Sequence, residues 1–163
     1  MFVWLGDATY LDRKSEEFLQ DQSKYYRKRL QNTKNAPGYH ELQEVVQRVV
    51  GTWDDHDYGK NDAGRHLAEK NSNREAYLDF LGEPSDSERR VQQGTPIHQD
   101  YFVTKGDLTV QLILLDNRFD SDDDSILFGS GDVLGEDQWL WLDLALKRGI
   151  QRQVALTVIG TGI

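Results

Sequence analysis

Four short apolar runs punctuate the chain, and each ends in acidic or glycine residues. The first spans residues 2–5 and ends at Gly6-Asp7, and the second spans residues 48–53 and ends at Asp54-Asp55-His56-Asp57. The third, residues 110–115, ends at Asp116, and the fourth, residues 154–159, ends at Gly160-Thr161-Gly162. Continuous runs of Val, Ile and Leu of this length predict strands covered on both faces. Between them, residues 15–32 place Phe18, Leu19, Tyr26 and Leu30 near one face, which predicts a helix capped by Ser15 and ended by Pro37-Gly38. Further helices are predicted over residues 39–47, 72–81 and 136–147. The last carries Glu136 and Asp137 in its first turn, Lys147 and Arg148 at its end, and Gly149 as its stop. Thr104-Lys105-Gly106-Asp107 reads as a hairpin turn, and residues 82–94, rich in charge and Ser, as a surface loop.

Alternating strands and helices with no linker predict a single α/β domain. The chain has 163 residues, 37% of them hydrophobic, which is enough for one core. Acidic residues outnumber basic ones by 28 to 19, giving a net charge of −9. Such a surface repels phosphate backbones and anionic lipid, so no nucleic-acid-binding surface is expected. With no cysteine, thiolate chemistry and Cys-type zinc sites are excluded. No apolar run approaches the length of a transmembrane segment. The first residues lack the basic start of a signal peptide. An anionic substrate would need a local cation to overturn the global field, and a bound metal is the usual means.

Three of the four strand ends deliver carboxylates: Asp7, the Asp54–Asp57 cluster and Asp116. In α/β sheets the ligand crevice lies outside those ends. Clustered carboxylates repel one another unless a cation sits among them, and carboxylate oxygen with imidazole nitrogen suits iron, manganese, zinc or magnesium. The alternative is that such residues cap turns, which suffices for Asp7 alone. In an extended segment successive side chains point opposite ways, so at most two of residues 54–57 are expected to face one metal.

At Gly6-Asp7-Ala8-Thr9-Tyr10 and Trp53-Asp54-Asp55-His56-Asp57-Tyr58-Gly59 the chain resembles the alkaline phosphatase D (PhoD-like) family of calcineurin-like metallophosphoesterases. Asn61-Asp62-Ala63-Gly64, Leu115-Asp116-Asn117-Arg118 and Leu134-Gly135-Glu136-Asp137-Gln138-Trp139-Leu140-Trp141-Leu142 follow in the family's order. The resemblance implies part of a metallophosphatase-type αββα sandwich and hydrolysis of a small phosphorylated substrate, monoester or diester, by metal-activated water. It implies a dinuclear centre of divalent or trivalent ions, iron with a second metal such as calcium, zinc or manganese. Asp7 would bridge the two ions, Tyr10 would ligate ferric iron and Asp55 would bind the second metal. His56 would stand beside the scissile phosphate. Arg118 is the natural partner for phosphate oxygens, with an ion pair to a carboxylate of the cluster as the alternative, and Tyr10 as a surface tyrosine is the alternative for that residue.

The family's earlier strand, with its Gly-Ser-Cys-like segment, and its later Ser-Gly-Asp-Val-His-like segment have no counterpart here. The expectation is therefore an internal stretch of such a domain, holding about half of the metal site and leaving strand edges exposed. A non-catalytic descendant acting as a metal-binding or regulatory module is the second reading. Family members are commonly exported. The run Asp120-Ser121-Asp122-Asp123-Asp124-Ser125 fails as an EF-hand, with Ser125 and Gly131 where Gly and Glu are needed. His40, His66 and His98 lie outside every motif and read as surface or loop residues, and Trp139 with Trp141 as helix packing.

Overall fold

The computed structural model describes residues 1–122 and 131–162. Strand β1 (Phe2–Leu5) lies parallel to β2 (Val49–Thr52), in register from Phe2↔Val49 to Leu5↔Thr52. Because side chains alternate along a strand, Phe2 and Trp4 face one way and Val3 the other. Phe2 and Trp4 pack with Tyr39, Phe80 and Leu81 from the helices α3 (Pro37–Val45) and α5 (Lys70–Leu81), and α2 (Gln22–Lys34) adds Tyr26 and Leu30 to the same core. On the opposite face, Val3 and Val50 meet Tyr101, Leu112 and Leu114 of a second sheet.

That sheet has the order β3-β4-β5, with β3 (Gln99–Lys105) antiparallel to β4 (Leu108–Leu114) and β4 parallel to β5 (Leu156–Gly160). The β3–β4 turn is the predicted hairpin, tightened to two residues, with Gly106 at a φ of 60° that a side chain would oppose. The outward side chains of β4 and the residues around it, Ile113, Leu115 and Leu134, bury against Ala145 of the 16-residue helix Glu136–Gln151, with Trp141 and Leu142 alongside. The layers thus run helix, sheet, sheet, helix, a mixed α/β architecture in which the predicted strands recur within two residues. Among the described residues no helix is long and apolar enough to cross a membrane.

The helices differ from expectation in informative places. The first predicted helix is two, α1 (Glu16–Gln20) and α2, broken at Asp21, whose extended backbone ends one while its carboxylate caps Lys24 N–H of the next. Pro37 does not stop a helix but opens α3, at a first-turn position where its missing N–H costs nothing. Gly149 lies inside the last helix, because the Gln111 side chain occupies the space a Cβ would fill. The segment 82–94 is not a solvated loop. It contains the turn α6 (Glu88–Val91), and two buried arginines anchor it. Arg89 donates to Ile97 C=O (2.7 Å) and Gly51 C=O (2.6 Å), and Arg74 to Thr95 C=O (2.6 Å) and Gln92 C=O (2.9 Å). Counting α4 (Asp55–Tyr58), introduced with its side chains below, the helix Glu136–Gln151 is α7.

Asp116, at the end of β4, is fully buried and accepts from four N–H groups: Trp53 Nε1 (2.7 Å), Ile97 N (2.8 Å), and Arg118 and Phe119 N (3.0 Å each). Its own backbone is clasped by Gln138, whose Oε1 accepts Asp116 N–H (2.8 Å) and whose Nε2 donates to Asp116 C=O (2.6 Å). This carboxylate therefore joins β2, β3 and α7, and serves packing rather than a metal. Asp116→Ala is expected to lower the unfolding free energy of the intact protein by about 3–5 kcal/mol, since it strands buried donors. Denaturant titration measures this, and a change below about 1 kcal/mol would contradict the account.

His98 is likewise not a surface residue. Its ring packs on Trp141 at 4.3 Å, its Nδ1 has no hydrogen-bond partner among the described residues, and burial pushes its pKa down from 6.5 to about 4. Between those values the unfolded chain takes up a proton that the folded chain refuses, so this residue's contribution is intact above pH 6.5 and is lost as pH falls toward 4. Replacing it by Phe is expected to shift relative stability in favour of the variant across that window. An offset between parent and variant melting temperatures that stays constant with pH would refute this.

Candidate metal centre

The backbone at the end of β1 makes a turn that few sequences permit. Gly6 has a φ of 102°, and a side chain there would run into Asp54 from the turn after β2. Asp7 follows with a φ of 57°, a left-handed conformation that Asp tolerates better than most residues. This turn lays Asp7 and Tyr10 beside the segment that follows β2.

That segment is not extended, as the sequence reading took it to be. Asp55–Tyr58 form a single helical turn, α4, closed by a capping box in which Asp54 is the N-cap and Asp57 returns a bond to Asp54 N–H (3.2 Å). The helical turn changes which side chains share a side. Asp55 and His56 meet Asp7 with one possible ligand atom from each lying within 4.8 Å of the others. Asp57 turns inward, fully buried, and accepts Thr9 N–H at 2.9 Å. Tyr26 O–H donates to its backbone carbonyl.

Tyr10 completes the cluster. Its hydroxyl donates to Asp7 Oδ2 at 2.5 Å, and its ring packs on His56 with centroids 4.4 Å apart. The bond to Asp7 and the carboxylates of Asp7, Asp57 and Asp54 push its pKa up to about 12. Asp55 is further oriented by Asp62 N–H (2.9 Å). Burial pushes the Asp57 carboxyl up to about 7, against the lowering effect of the N–H groups that bond it.

Four of the five residues expected at the site therefore converge. The fifth, Arg118, is buried behind them and donates to Asp54 Oδ1 at 3.0 Å. This is the ion pair with a carboxylate of the cluster, its alternative role, and the carboxylate is that of Asp54. Its Nε, together with Thr9 Oγ1 and Asn117 Oδ1, is buried with no hydrogen-bond partner among the described residues. The residues that the sequence reading missed are those that hold the others in place. Asp57 carried a usable signal, since an acid three residues after Asp54 is capping-box spacing. His40 and His66 are exposed, as expected. Trp141 packs on His98, whereas Trp139 is half-exposed, with its indole N–H on Asp132 (2.9 Å). The acidic run at residues 120–125 lies partly outside the described residues.

Two carboxylates and an imidazole fit a hard or borderline divalent ion, whose ligand distances of about 2.0–2.2 Å let donors this close converge on one centre. The cost of holding Asp7, Asp54, Asp55 and Asp57 in one corner also favours a cation there.

Neither a family model nor a curated protein matches the sequence. Among solved structures, that of PhoD matches with a TM-score of 0.61 at 20% identity. The match covers 84% of this chain and 29% of the PhoD chain, so the present chain spans under a third of that protein's length. The fold is thus that of part of PhoD, in agreement with the resemblance carried by the strand-end motifs.

Mn²⁺ is expected to bind the intact protein at this cluster. Asp57→Asn, which touches no ligand position but loosens both loops, is expected to weaken binding by about 10–100-fold. Asp143→Asn, on the exposed side of α7, is the control and should leave affinity unchanged. Isothermal titration calorimetry decides, and equal affinities for all three proteins would mean diffuse binding to an acidic surface.

Proposed function

We propose that the chain carries part of the active site of a metal-dependent phosphoesterase. The observation that supports this most strongly is the convergence of Asp7, Asp55 and His56 at the carboxyl ends of two adjacent parallel strands. The fold shared with part of PhoD adds to it. Asp7 and Asp55 would hold the metal, with Tyr10 the next donor in reach once its proton is lost. By the resemblance the centre would be dinuclear, iron with a second ion such as calcium, zinc or manganese, with Asp7 among the residues that would hold both.

A bound ion would lower the pKa of water and neutralise charge on the phosphate. The chain's own contribution is orientation. The Tyr10 ring packs against His56 at a tilt of 41°, and Asp55 lies 3.9 Å from His56 Nε2, so the imidazole is held at the edge of the cluster. There it can stabilise a phosphoryl oxygen or give a proton to the leaving group. Arg118 would grip phosphate only by sharing its guanidinium with Asp54, a bond that also keeps it aimed toward the cluster. The substrate class is a small phosphate monoester or diester. A second reading, metal binding without turnover, draws on the fact that three donors converge among the described residues, enough for one ion.

Hydrolysis of p-nitrophenyl phosphate and bis-p-nitrophenyl phosphate by the intact protein, across Mn²⁺, Ca²⁺, Zn²⁺ and Fe³⁺, separates the two. His56→Ala is expected to lower kcat by about 100-fold or more, with metal affinity falling far less than in Asp55→Asn. Unchanged hydrolysis in both variants would sink the phosphoesterase reading. Metal binding with no hydrolysis in the parent would favour the second.

A further inference from the structure

Away from the metal centre, α2 and α5 enclose a groove of about 420 Å³ whose rim is dominated by one sign of charge. The rim carries Lys24, Arg27, Lys28 and Lys34, and a single acid, Asp79, lies among them. All four cations come from α2, at a spacing that brings them to one face of the helix. The floor is Leu30, Ala76 and Phe80, each 2–3% exposed. Its apolar surface is already covered, so, unlike an open strand edge, the groove leaves nothing that a further part of the domain must bury.

The charges do not cancel. Asp79 already holds Arg27 and Arg90 (2.7 Å each), Glu17 of α1 holds Lys28, and the Asp21 carboxylate caps Lys24 N–H (2.9 Å). Neither Lys24 nor Lys34 has a carboxylate partner among the described residues, and Lys34 Nζ donates to Asp79 C=O (3.2 Å). In a chain of net charge −9 such a stripe reverses the field locally and attracts anionic groups. The free cations also point to the kind of anion. The one guanidinium on the rim is engaged by Asp79, so no planar fork is open to a phosphate. The two free ammoniums stand about 15 Å apart along the helix, too far for one small anion to bridge. Carboxylates on alternate residues of an extended segment share a face, and those four residues apart lie about 13 Å from each other.

We infer that this groove binds an extended acidic segment of a partner protein, with carboxylates on alternate residues, the outer two meeting Lys24 and Lys34. Attraction between the charges supplies affinity, and their spacing supplies selectivity. This inference is independent of the phosphoesterase reading.

The test uses the intact protein and a fluorescein-labelled nine-residue peptide with glutamate at its third, fifth and seventh positions and serine elsewhere. Fluorescence polarisation should show saturable binding that weakens more than about tenfold between about 0.05 and 0.5 M salt. A peptide with the same three glutamates in consecutive positions should bind at least about fivefold less tightly, because neighbouring side chains of an extended chain point to opposite faces. Lys24→Glu, at an exposed position outside the core, and Lys34→Glu should each weaken binding more than about tenfold, while Lys147→Ala on α7 leaves it unchanged. No saturable binding up to about 1 mM, equal binding of the two peptides, or indifference to both α2 substitutions would overturn the inference. So would inorganic triphosphate displacing the labelled peptide at a lower concentration than the unlabelled peptide does, because the groove would then select phosphate. Lys24 and Lys34 that resist acetylation in the absence of peptide would overturn it too, because the groove would already hold another segment of the same polypeptide or a second copy.

Discussion

Everything at the candidate centre hangs on the buried carboxylate of Asp57. It accepts Thr9 N–H from the loop after β1 and Asp54 N–H from the turn after β2, and so fastens together two segments nearly fifty residues apart. One segment carries Asp7 and Tyr10, the other Asp55 and His56. Without this clasp the four side chains would sit on two loops free to move independently, and a metal would have to order them itself. The clasp has a cost. Burial disfavours the charged form and pushes Asp57 up to about 7, against the N–H groups that bond it.

The same device appears at the end of β4. Asp116 gathers donors from β2, from the residue before β3 and from its own following turn, while Gln138 ties it to α7. Two strand-end aspartates thus hold the double-sheet sandwich at the end where the candidate metal ligands lie. Arg118 then bridges back to Asp54, so the loop after β4 is coupled to the cap of the turn that carries Asp55 and His56. Change at any of these positions should be felt at the cluster through geometry rather than through contact.

Much of this was legible from the chain alone. The strands were, because each is a continuous apolar run with a sharp polar end. That Asp7 and the Asp54–Asp57 cluster would come together was also legible, because strand ends are where α/β sheets place chemistry, while Tyr10 was pointed to by the family resemblance alone. The roles of Asp57 and Asp116 were not. A carboxylate at a strand end reads the same whether it faces a metal or a set of N–H groups, and the donors that decide between them come from distant parts of the chain. Arg74 and Arg89 were missed for a related reason. A segment dense in charge reads as solvated, yet these two guanidiniums are buried and satisfied by backbone carbonyls of residues 51 and 89–97. Four polar residues in a row also carry no period, so the helical turn at Asp55–Tyr58 left its mark only in the spacing of its capping box.

The central claim is that Asp7 and Asp55 hold a metal ion beside His56. Anomalous difference density from crystals of the intact protein grown with Mn²⁺ tests it most directly. The account predicts a peak about 2.0–2.3 Å from a carboxylate oxygen of Asp7 and one of Asp55, with the His56 ring alongside. Manganese bound elsewhere, with Asp7 still bonded to Tyr10 and Asp55 to Asp62 N–H, would contradict it.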